Sequence, residues 1–132
     1  MRTLFLSLAL ATAASAQCGT LSIAGTGAPG TTLTVSLHGS PTAIAFLVVG
    51  DTAGTTSIPL GTTTLDLGIA MPFIPFGLGI TNASGDVSQA FTIPSGIPTH
   101  TALGQGLTAT FGMPPNFALS ICTSNVVSFT IG

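Results

Sequence analysis

The feature that most constrains this chain is an apolar side chain at every second position. In residues 31–38, Leu33, Val35 and Leu37 alternate with Thr32, Thr34, Ser36 and His38. That period puts one set on each face of an extended strand, whereas a helix would scatter it around its circumference. The same alternation recurs in residues 87–93, where Val87, Gln89, Phe91 and Ile93 share a face, in residues 107–111, and in residues 127–131. Residues 43–49 are continuously apolar, which predicts a central strand buried on both faces. Weaker strands are expected at residues 20–23, 56–60, 76–81 and 117–122.

Glycine and proline supply the punctuation, at residues 25–30, 39–41, 50–54, 94–98 and 112–115. Asn82-Ala83-Ser84-Gly85 reads as a hairpin turn, with Gly85 taking the positive φ. The best helical window, residues 98–104, supports one turn at most. Short strands at roughly even spacing predict an all-β fold: a single small β-sandwich, antiparallel with Greek-key/Ig-like or jelly-roll-like connections, or a small barrel. A chain of 132 residues without repeat or linker makes one domain, over residues 17–132.

The polar faces carry Ser and Thr rather than charge. Only 3% of residues are charged, and they are Arg2, Asp51, Asp66 and Asp86. Such a chain cannot displace counterions from phosphates, so nucleic acid is excluded as a partner. It also lacks the charged flanks of a coiled coil. A mean hydropathy of +0.76 opposes disorder.

Residues 1–16 form the three parts of a secretory signal: Arg2, an apolar run from Leu4 to Ala14, and the small-residue cleavage pattern Ala14-Ser15-Ala16. The run is shorter than the roughly 20 residues of a membrane span, so no integral span is expected after cleavage. A lipoprotein signal is the alternative, although Ala16-Gln17 before Cys18 is a poor lipobox. The expected location is therefore secreted, either extracellular or on the cell surface. In that oxidising setting Cys18 and Cys122 are expected to form a disulfide that makes the first strand and a late strand neighbours. Two free buried thiols are the alternative.

Candidate chemistry is sparse. Gly25-Thr26-Gly27-Ala28-Pro29-Gly30 matches a dinucleotide fingerprint, but a strand follows where the phosphate-binding helix is required. His38, His100, three aspartates and many serines exist, without a GxSxG elbow. No catalytic residue, cofactor or metal site is therefore assigned. Asn82–Asp86 is the one cluster with calcium-like composition, and a turn needs the same residues. Asn82-Ala83-Ser84 is also a glycosylation sequon. An ice-binding surface would need a repeat that is absent, and the phenylalanines lack the polar handle of glycan-stacking aromatics. Asp51 in loop 50–54 and His100 in loop 94–100 are the candidate ligand-binding residues, because loops carry sites.

Several pieces then fall into a familiar order: Ile23-Ala24-Gly25 with Pro29-Gly30-Thr31, Pro41-Thr42-Ala43 running to Gly50, Ile58-Pro59-Leu60-Gly61, and Leu65-Asp66-Leu67-Gly68. Thr81-Asn82-Ala83-Ser84-Gly85, Ile93-Pro94, Ser124-Asn125 and Phe129-Thr130-Ile131-Gly132 complete it. The order resembles a family of uncharacterised secreted β-rich modules of environmental bacteria, often C-terminal parts of larger exported proteins. The resemblance implies a small sandwich without known catalysis, and it supplies no catalytic residues. Gln105 comes early, and no Tyr or Trp follows it as members of such families often have.

Two functional expectations follow. The first is a non-catalytic surface or extracellular interaction module, adhesive or assembling. Low charge removes repulsion between copies, and few charged residues guard its strand edges against self-association or a protein partner. The second is a small-molecule or glycan-binding module using the loops of Asp51 and His100. A small hydrolase using His100 with an aspartate is the weakest reading.

Overall fold

The alternation of residues 31–38 becomes alternating burial, with Leu33, Val35 and Leu37 inside and Thr32, Thr34 and His38 exposed. The structure is a computed structural model that describes residues 17–60, 63–112 and 119–132. The expected signal, residues 1–16, lies outside the described residues, as do parts of the expected strand 117–122 and turn 112–115. The strands are β1 (Gln17–Ala24), β2 (Thr32–His38), β3 (Ile44–Gly50), β4 (Ala53–Leu60), β5 (Thr63–Ile69), β6 (Phe73–Ile80), β7 (Asp86–Thr92), β8 (His100–Phe111) and β9 (Leu119–Ile131). Among the described residues there is no helix, so the fold is all-β.

Seven strands form one sheet in the order β6-β3-β8-β9-β1-β2-β7, and β4 pairs with β5 in a second, two-stranded sheet. The large sheet curls until its edges, β6 and β7, face each other across a seam. Phe76 and Phe91 span that seam edge to face, with ring centroids 6.1 Å apart. Inside the curl, Leu21, Val35, Leu37, Ala45, Leu47 and Leu78 make the main core. A second core lies on the outer face, where the β4–β5 hairpin buries Leu67 and Ile69 against Val48 and Leu107.

Every pairing in the large sheet is antiparallel except β9 with β1, which run parallel. This differs from the all-antiparallel expectation, and the disulfide lies at the same place. Cys18 of β1 and Cys122 of β9 are bonded, with Cα atoms 5.5 Å apart, within the usual span of such bridges. The first strand and a late strand are neighbours, as the cysteines implied.

Four local expectations change. Residues 100–104 belong to strand β8 rather than to a helical turn. The inward positions of β8 are Ala102, Gly104 and Gly106, so small residues conceal a strand pattern that a hydropathy reading detects only from Leu107 onward. Gly106 has a packing reason, since a Cβ there would meet Leu37 Cδ1 at 2.5 Å. The turn at Asn82–Gly85 forms, with Gly85 at φ +87°. However, it connects β6 to β7, which pair with β3 and β2 respectively and do not form a hairpin with each other. Strand β5 is new, and its partner β4 begins three residues before the expected strand at 56–60. The strand at 43–49 is buried on its inner side, while on its outer side Ile44 remains 43% exposed.

Buried polar groups hold the layers in register. Gln105, 5% exposed, accepts from Gly68 N–H of β5 at 2.8 Å and donates through Nε2 to Ser124 O at 2.9 Å. It therefore ties the hairpin to the barrel and satisfies a carbonyl at the irregular stretch of β9 between Thr123 and Val126. Two outcomes are expected. Gln105→Leu leaves the buried Ser124 carbonyl and the half-buried Gly68 N–H without their partner, and should lower stability by about 1–3 kcal/mol in urea unfolding. Replacing both cysteines with serine opens a loop of 104 residues and should cost about 5 kcal/mol in the chain-entropy model, read in the same assay.

Candidate functional site

One end of the curled sheet is not filled. Strands β1, β2 and β3 send Ile23, Leu33, Val35, Leu47 and Val49 inward there, and β9 adds Phe129 and Ile131. The inward residues of β8 at the same level are Gly104, opposite Val49 and Val127, and Ala102, opposite Phe129. That wall contributes no bulky side chain, and a cavity of about 330 Å³ remains. Phe76, Phe91 and the segment Thr92-Ile93-Pro94 close its seam side. The volume stands at the lower end of ligand pockets, roughly 300–1,000 Å³. It is about twice the ~150 Å³ apolar cavity that admits benzene.

The residues around it include one polar residue, Thr92, which pairs with exposed Thr32 and is itself exposed, and no charged one. The backbone of the closing segment is also committed. Ile93 N–H donates to Thr31 O at 2.9 Å, and Ile93 O accepts from Gly30 N–H at 2.7 Å. Pro94 has no N–H to offer. What this site can do is remove apolar surface from water, at roughly 25 cal/mol per Å². It has no group placed to move a proton.

The two residues chosen from the loops do not line the cavity. Asp51 is exposed and stands two positions beyond Val49. His100 pairs in register with Ile131, which does line it, but its ring is exposed and Nδ1 meets Pro98 O at 2.9 Å. The structure brings both near lining residues without joining them to each other. His38 and Asp86 form an exposed pair on the outer Ser/Thr face, Nδ1 to Oδ1 2.7 Å. Pairs of that exposure contribute about 0–1 kcal/mol. In the calcium-like cluster, Asn82 Oδ1 accepts from Ser84 N–H and Asp86 N–H, as an Asx turn does. Among the described residues no group of three metal-ligating side chains occurs.

Sequence reasoning missed the cavity because its lining is identical in composition to a core. The available signal was Ala102 and Gly104 at alternate positions of one strand, which leaves that wall thin. No family model, curated protein or solved structure matches the chain.

If the space is empty and apolar, a methylene directed into it should stabilise the protein. Val35→Ile is expected to raise unfolding free energy by about 0.8 kcal/mol, measured by urea midpoint, with Leu37→Ile in the filled core as the destabilising control.

Proposed function

We propose that this chain is a non-catalytic binding protein that holds a small apolar molecule inside the open end of its barrel. The observation that carries the reading is the 330 Å³ apolar cavity walled by six strands and by Ile93 and Pro94, which follow β7. The small-molecule expectation is kept, and its site moves from the loops to the interior. The export signal at residues 1–16 and the Cys18–Cys122 bridge support a secreted protein working in an oxidising place. Among the described residues no helix is long and apolar enough to cross a membrane.

A second reading, self-association or a protein partner, is favoured by the outer face of β3 and β6. Ile44 and Ile80 oppose each other there and are 43% and 67% exposed. Phe46 lies in the next outward row. Contiguous apolar surface of this kind often marks an interface.

The test is a titration of the exported, oxidised protein with the uncharged dye Nile red, followed by light scattering over a dilution series. Saturable one-to-one binding, lost in Val49→Phe and kept in Asp51→Ala and His100→Ala, is the expected result. Absence of saturable binding, together with a concentration-dependent oligomer weakened by Ile44→Ser, would replace it with the assembly reading.

A further inference from the structure

The cavity reading can be taken to a ligand class, and this step rests on that reading. We infer that the site takes an uncharged hydrocarbon of about ten carbons, cyclic or aromatic, and rejects the carboxylate of the same shape. Size follows from the volume: about 330 Å³ is roughly double the space that holds a single benzene ring, so two fused rings or one branched ring fit.

Charge decides the rest. The single cationic residue of the chain is Arg2, which lies in the signal segment, and residues 17–132 contain three aspartates without Lys or Arg. Burying a carboxylate requires a cation or a set of donors, because an unpaired ion loses its hydration uncompensated. The lining offers neither. Thr92 is exposed beside Thr32, Pro94 has no N–H, and the Ile93 N–H is bonded to Thr31 O. Asp51, two positions beyond Val49, is exposed and adds no cation to the lining. An amphiphile that hung its charged head outside would find no Lys or Arg to anchor it in residues 17–132.

Aromatic walls favour a flat ligand. Phe76 and Phe91 meet edge to face over the seam, and a fused-ring guest has offset or edge-on partners available there. The same place supplies access. The seam has no ladder hydrogen bonds between β6 and β7, so parting it breaks an aromatic contact rather than a sheet.

The test compares naphthalene with 2-naphthoate on the exported, oxidised protein at neutral pH, by ligand fluorescence and by intermolecular NOEs. Naphthalene is expected to bind one to one, with NOEs to the methyl groups of Ile23 and Ile131. Naphthoate should bind roughly tenfold or more weakly, as an unpaired buried charge requires. Val49→Phe and, should that variant misfold, Ile131→Phe should each weaken naphthalene at least tenfold. Naphthoate binding as tightly as naphthalene, with NOEs to Ile23 and Ile131, would overturn the ligand class and leave the cavity reading standing. No NOE from either compound to those methyls, or NOEs to Ile44 and Ile80 instead, would overturn both.

Discussion

The pairing of β9 with β1 is the contact on which the rest of the molecule depends. On one side of it lies the run β6-β3-β8-β9, on the other β1-β2-β7. Without it the chain would be two open sheets of four and three strands, each with one apolar face in water. It is also the weakest ladder in the sheet by length, with Thr123 opposite Gln17 and Ser124 opposite Gly19. Parallel pairing is slightly less stable per residue than antiparallel, so this junction needs other support, and it has two kinds. The disulfide crosses it covalently. Beyond the irregular stretch of β9, Asn125 stands in for a backbone unit: Oδ1 accepts from Leu21 N–H at 2.8 Å, and Nδ2 donates to Leu21 O at 3.2 Å.

The same irregularity organises the outer layer. Ser124 Oγ accepts from Gly106 N–H and donates to Asn125 O, while its carbonyl accepts from Gln105. A β-bulge leaves backbone groups without ladder partners, and a buried one must find others. Here Ser124, Asn125 and Gln105 supply them, and Gln105 carries the connection outward to Gly68 of the covering hairpin. One backbone defect thus joins the two halves of the barrel and the lid over its outer face. The cavity depends on the arrangement as well. Ile23, Val35 and Phe91 come from one side of the junction, and Leu47, Val49 and Phe76 from the other.

A barrel built almost without charge leaves few ways to recognise a ligand. Its outer β1-β2-β7 face is a ladder of hydroxyls, including the Ser36–Ser88 contact at 2.9 Å, and its inner face is hydrocarbon. Specificity inside can come only from shape and from the cost of desolvating polar guests. That physics separates neutral from charged molecules strongly, and it separates hydrocarbons of similar size from one another only weakly.

Much of the strand content was legible in residues that alternate, because a period of two has one structural meaning. Residues 31–38 and 87–93 were readable for that reason, and two cysteines 104 positions apart pointed to their own bridge. Where glycine replaced the inward side chain, as in the first half of β8, the pattern disappeared and a strand passed for a loop. Apart from the contact of β1 with β9 that the cysteines implied, the neighbours of each strand were not legible either. The Asn82–Gly85 turn has the composition of a hairpin, yet β6 and β7 part after it, since each gains a full antiparallel ladder with β3 or β2. The sequence by itself determined that this chain must be β, disulfide-bridged and nearly uncharged, because periodicity, cysteine count and composition are local properties. Only the tertiary structure decided that the sheet curls around an unfilled end. A cavity is the difference between the space strands enclose and the volume their side chains fill, and no single strand contains that difference.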